Sequence, residues 1–109
     1  MCSKQVSKVT EKAEEVILLL NIEGLQDQSK LDKHLKREGF SPISDEPFTY
    51  IGETSTHKVN TVLYIHSAVI RALHKAGFTY CKIIFQIGEY PMEAYRYDVE
   101  RREFVWVEV

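Results

Sequence analysis

What most restricts this chain is the order in which two kinds of apolar pattern follow one another. Val16 to Ile22 reads as a strand, and a helical pattern follows it. Two short strand-like runs, a longer helical pattern and further strand-like runs then lead to the C-terminus. Period two and period 3.6 are fixed by the pleat and by the helix turn, so few layered arrangements accept that order. With 109 residues there is material for one core and not for two.

Local signals divide the chain further. Met1 to Glu14 is polar and rich in Lys, Ser and Glu, which predicts a flexible tail or a frayed helical lead-in over 1–14 and a single domain over 15–109. Ser29 and Asp32 have capping-box spacing ahead of Leu31 and Leu35, and Gly39 supplies a helix stop. Phe40 to Ile43 and Phe48 to Thr54 read as a hairpin around Ser44-Asp45-Glu46-Pro47, with Pro42 confining the first arm to a sheet edge. Val59, Val62, Leu63, His66, Val69, Ile70 and Leu73 mark the long helix, which Gly77 ends. In Tyr80 to Ile87, Cys81, Ile83, Phe85 and Ile87 share one face. Ala94 to Val99 and Phe104 to Val109 form a last hairpin around Glu100-Arg101-Arg102-Glu103. The expected fold is α+β: a ferredoxin-like βαββαβ sandwich with a C-terminal β extension.

Two helices can cover only one face of such a sheet, yet the strands carry apolar side chains on both. Ile17 and Leu19 alternate with Val16, Leu18 and Leu20, and Ile84 stands among the polar residues of its strand. An uncovered apolar patch calls for a partner, and a homodimer is the economical one. The candidate interface is Ile17, Leu19, Ile84, Tyr95, Tyr97 and Trp106, packed face to face or by exchange of the C-terminal hairpin. Another protein could occupy the same face. Alternatively, the C-terminal strands fold back and cover it themselves.

Residues that could carry chemistry are scattered. His66 lies among apolar residues of the long helix, where a hydrogen-bonded core histidine is the expectation. His74 is rotated from it by about 80°, so the two make no zinc pair. His57 sits where it could cap the long helix or meet an anion at its start, and His34 falls on a solvated helix face. Cys81 points to the core, and Cys2 lies in the tail, a poor disulfide pair. Asn21, Glu23 and Asp27 near the end of the first strand do not make a two-carboxylate metal site. No metal, cofactor or catalytic residue is assigned.

Net charge is −2, which gives no general attraction to nucleic acid or anionic membrane. The first helix nonetheless carries Lys30, Lys33, Lys36 and Arg37, and Arg96, Arg101 and Arg102 form a second basic group. Lys33, Lys36, Arg37, Arg101 and Arg102 are the candidate phosphate contacts of an RNA-binding reading. The stacking motifs of the RNA-recognition fold are missing: Leu18 stands where an aromatic is required, and Phe48-Thr49-Tyr50-Ile51 lacks flanking basic and Gly residues. The longest apolar run, Val16 to Leu20, is too short to cross a bilayer, and no leader pattern is visible, so a cytoplasmic context is expected.

In layout, Val16 to Ile22, Gly39-Phe40-Ser41-Pro42-Ile43, Phe48 to Ser55 and Tyr80 to Ile87 resemble small ferredoxin-like endoribonuclease antitoxins of the GhoS type. More loosely, they resemble the small CRISPR-associated nucleases of spacer acquisition, which dimerise through their sheets. The resemblance covers residues from about 15 to 99 and implies a ferredoxin-like fold and an RNA-directed role. Those nucleases carry Asp near the end of the first strand where this chain has Asn21, so no catalytic residue is carried over. The first expectation is therefore a small non-catalytic interaction or regulatory module, homodimeric. An RNA-binding or endoribonuclease antitoxin-like protein is the alternative. A ligand-binding regulatory domain ranks third, because Gly24 and Gly52 stand alone and form no Gly-rich loop.

Overall fold

The computed structural model describes residues 13–55 and 57–109. It is an α+β domain: one six-stranded antiparallel sheet with two helices on one of its faces. In chain order the elements are β1 (Glu14–Glu23), α1 (Gln28–Arg37), β2 (Ser41–Pro42), β3 (Thr49–Thr54), α2 (Lys58–Ala76), β4 (Tyr80–Ile87), β5 (Glu93–Asp98) and β6 (Glu103–Val107). Neighbours across the sheet run β2-β3-β1-β4-β5-β6, so the first strand lies between β3 and β4. Residues 1–12 of the expected tail lie outside the described residues, and β1 already begins at Glu14.

Period two is obeyed closely on the core side. Val16, Leu18 and Leu20 of β1, Tyr50 of β3, and Cys81, Ile83, Phe85 and Ile87 of β4 are buried beneath the helices. Leu31 and Leu35 are the buried residues of α1. Its N-cap is Asp27 and not Ser29, with Oδ1 accepting the Lys30 amide at 3.1 Å. Asp32 has a different partner from the one its capping-box spacing implies, since the hydroxyl of buried Tyr50 donates to its Oδ1 at 2.5 Å. Burial first, and then the adjacent carboxylate, push the Tyr50 phenol well above its usual range.

At the other end of α1, Gly39 adopts φ +101°. The Gly39 amide donates to Lys36 O and the Phe40 amide to Leu35 O, a Schellman ending that only a residue free to enter the left-handed region makes cheaply. Phe40 then turns into the core over Gly52, where a Cβ would come within 2.9 Å of its ring and 2.7 Å of the Gly39 carbonyl. Glu38 ties this corner to α2. It accepts from the Tyr64 hydroxyl through its carbonyl (2.6 Å) and its carboxylate (2.9 Å), and Arg71 lies 3.0 Å from the same carboxylate.

The long helix is present as expected but is turned differently from the predicted stripe. Thr61, Ile65, Ala68, Val69, Ala72, Leu73 and Ala76 face the sheet. Val59 and Leu63 are 68% and 61% exposed. Apolar residues run around more than half of α2, so spacing alone does not choose between two stripes. The alanines decide it, because small side chains let the helix approach the sheet closely. The backbone of β2 pairs over only two residues, and Phe48, expected to open β3, sits at φ +61° just before it. The final hairpin runs one residue earlier at each strand start than expected, closed by Asp98 Oδ1 accepting the Glu100 and Arg101 amides. These strands do not fold back. They pair edge to edge beyond β4 and widen the sheet.

Candidate functional site

Because paired residues of an antiparallel sheet project to the same side, the register defines the uncovered face rung by rung. One rung is Ile51–Ile17–Gln86 across β3, β1 and β4. The next is Thr49–Leu19–Ile84–Ala94–Val107, which reaches β6. These two make a continuous apolar band over five strands. Ile17 is 36% and Leu19 39% exposed, whereas Ala94 is fully covered between its larger neighbours Ile84 and Val107. Charged rungs border the band. Glu15 stands opposite Glu53 on one side, and Asn21–Lys82–Arg96–Val105 forms the other.

The six side chains expected to form one interface are thus divided. Ile17, Leu19 and Ile84 share the open face. Tyr95, Tyr97 and Trp106 belong to the helix-bearing face, since Ile83, a core residue, pairs with Tyr95, and Tyr95 with Trp106. Tyr97 is only 7% exposed, and Tyr95 stacks on Phe85 at 5.7 Å between ring centres. Trp106 is 60% exposed on that side. Within β5 the alternation was legible, but which phase met the core depended on the register with β4. Ile51 and Val107 complete the band. The signal for Ile51 was the pairing of its neighbour Tyr50 with Leu18 in the core.

The cationic residues gather elsewhere. Lys30, Lys33, His34 and Arg37 of α1 and Lys75 of α2 line one groove of about 210 Å³. Lys36, exposed on the same helix, does not line it. Arg101 and Arg102 sit in the β5–β6 turn, where Arg101 pairs with Glu103 at 3.3 Å. His34 is half-buried and not solvated as expected, and its Nε2 lies 3.9 Å from Glu38, too far for a hydrogen bond.

A second cluster surrounds the start of α2. Lys58 Nζ is 2.7 Å from Glu93 Oε2, the Tyr95 hydroxyl donates to Glu93 Oε1 at 2.8 Å, and Lys58 lies over the Tyr90 ring. Burial would raise the Glu93 carboxyl, but the Lys58 ammonium and the Tyr95 hydroxyl outweigh it and hold it below its usual range. The Tyr95 phenol is pushed up to about 12 by burial and by that carboxylate. His66 is packed by Tyr95, Phe104 and Phe85 at 4.4, 5.0 and 6.3 Å, and its buried Nε2 lacks the hydrogen bond expected of a core histidine. Cys81 is buried under the helices, and burial pushes its thiol up to about 12, which leaves it unreactive.

His66 is expected to make the fold acid-sensitive. Burial disfavours the imidazolium and lowers its titration point, while the Glu93 carboxylate opposes that shift. The unfolded chain takes up a proton near the usual 6.5 that the folded chain refuses, so stability present above that pH is lost as pH falls toward the folded value. Glu93 adds a second loss on acidification below its usual 4.5, the direction for a depressed carboxyl. The His66→Phe variant is therefore expected to melt with a flatter pH dependence from about pH 7 to 5 than the parent chain. An unchanged slope would assign the acid sensitivity to other groups.

His57 precedes α2 without a side-chain cap bond, and its carbonyl instead accepts the Thr61 amide and hydroxyl. Asp27 is used as the α1 cap, and Glu23 accepts the Thr79 amide and hydroxyl through its carbonyl. Among the described residues, no three His, Cys, Asp or Glu side chains gather as a metal-binding group. No helix of the described residues is long and apolar enough to cross a membrane. No protein-family model, no curated protein and no solved structure matches the chain.

Proposed function

We propose that this chain is a small non-catalytic interaction module that works as a homodimer through the open face of its sheet. The observation that carries the reading is the apolar band of Ile51, Ile17, Leu19, Ile84 and Val107 on a face that no described element covers. A sheet face of this kind is costly in water and is relieved by burial against a like surface. The fold reading that goes with it is a ferredoxin-like sandwich extended by β5 and β6. Its support is the neighbour order β2-β3-β1-β4, in which α1 and α2 each link strands that have a third strand between them. A reducing cytoplasm suits Cys81, buried as a free thiol.

Sedimentation velocity of the full chain at micromolar concentration tests the proposal. A concentration-dependent dimer is expected, and a monomer at every concentration overturns it. A second reading, an RNA-binding and antitoxin-like protein, is favoured by the α1–α2 groove. Its Lys30, Lys33, Arg37 and Lys75 side chains form no ion pair among the described residues. A salt-sensitive shift in sedimentation with a mixed pool of single-stranded RNA supports that reading, and no shift at low salt removes it.

A further inference from the structure

We infer that the second copy docks on the open face in one orientation, fixed by two like-charge rungs on either side of the apolar band. The inference deepens the proposed function and rests on it. Glu15 stands directly opposite Glu53 across β1 and β3, and Lys82 directly opposite Arg96 across β4 and β5. Like charges directly opposite on an antiparallel pair repel, so each rung is unfavourable within one protomer. None of the four side chains has an ion-pair partner among the described residues. Of the carboxylates beyond the basic rung, Asp98 caps the hairpin turn and Glu103 pairs with Arg101, while Glu23 stands opposite Tyr80.

The acidic rung and the basic rung lie six residues apart along β1, from Glu15 to Asn21, which is about 20 Å at the rise of a strand. The apolar rungs of Ile17 and Leu19 lie between them. A two-fold axis lying in the plane of the interface, through the middle of that band between β1 and β4 and perpendicular to the line joining the two rungs, exchanges them. It brings Glu15 and Glu53 of one protomer over Lys82 and Arg96 of its partner. Symmetry repeats the contact at the other end. The repulsion within each protomer becomes attraction between protomers, while the band centres on itself. The face is thus self-complementary in charge as well as in hydrophobicity, and the occupant it fits is a second copy of this chain.

Charge exchange tests the orientation. The variants Glu15→Lys with Glu53→Lys, and Lys82→Glu with Arg96→Glu, each leave four like charges around the band. Each alone is expected to self-associate at least about 10-fold more weakly than the parent chain at low salt. Their equimolar mixture, one face all positive and the other all negative, is expected to dimerise at least as tightly as the parent. A mixture that stays monomeric, or single variants that dimerise as well as the parent, overturns the orientation while leaving the parent dimer standing. A monomeric parent chain overturns the underlying reading instead. Should either variant fail to fold by circular dichroism, Glu15→Gln with Glu53→Gln gives a second reading. Parent association should weaken with salt and that of the neutral variant should not, and equal salt dependence counts against the inference.

Discussion

Glutamate at both Ile17 and Leu19 is expected to weaken dimerisation by at least about 100-fold, or about 2.8 kcal/mol, while leaving the monomer folded. Both side chains stand at the middle of the open face, 36% and 39% exposed, so each still has apolar surface to give up to a partner. Burying the remaining third of an Ile or Leu side chain gains about 0.5–1 kcal/mol, and the two-fold doubles the number of such contacts. Glutamate removes that gain and sets carboxylates inside a closing interface, where an unpaired charge costs far more than a lost contact. The fold itself should lose no more than about 1 kcal/mol, because neither side chain belongs to the helix-side core. Sedimentation equilibrium measures the association, and a thermal melt checks the fold. Trp106→Glu is the control: it alters a highly exposed side chain on the helix-bearing face and should leave the dimer intact. If Trp106→Glu dissociates the dimer and the double variant does not, exchange of the C-terminal hairpin replaces the sheet face as the interface.

Phe85→Ala is expected to cost about 3–5 kcal/mol of folding stability. Total stability for a domain of this size is about 5–15 kcal/mol, so roughly a fifth or more of it is at stake. Phe85 is 1% exposed and stands opposite Leu18 in the neighbouring strand. Its ring stacks on Tyr95 with an interplanar angle of 6° and meets His66 edge-on. Removing it opens a cavity beneath α2 and unpairs the aromatic group that encloses His66. Urea denaturation should show a lower midpoint with an unchanged slope. A loss below about 1.5 kcal/mol would mean that Tyr95 and His66 close into the vacated space, and that their packing is less rigid than these contacts imply.

Where the sequence was sufficient, one strand or one cap decided the matter by itself. The alternation of Cys81, Ile83, Phe85 and Ile87 placed β4 on the core, and Gly39 marked the end of α1. Where two elements had to agree, the chain alone was ambiguous. Tyr95 and Ala94 alternate whichever of them faces the helices, and only the pairing of Tyr95 with Ile83 resolves it. Val59 and Leu63 have impeccable helical spacing, yet the Ala68, Ala72 and Ala76 stripe wins because it allows the closer approach. The cap at Asp27 was masked by Ser29, whose spacing to Asp32 imitates a capping box. The Tyr50 hydroxyl competes for that carboxylate from a strand distant in sequence. The open face was legible as a surplus of apolar residues. Its charged borders were not, because Glu15 meets Glu53 and Lys82 meets Arg96 only after the sheet has formed.

The central position of β1 also has a consequence in time. Val16 and Leu18 pair on one side with Gly52 and Tyr50, and on the other with Ile87 and Phe85. During synthesis at about 5–20 residues per second, several seconds separate the emergence of β1 from that of β4. Throughout that interval the Leu-rich strand has one edge without backbone partners, even if β3 has already joined it. Long-range pairing of this kind slows folding and exposes intermediates to aggregation. The strand that organises the finished sheet is therefore the one whose second edge stays open until β4 has been made.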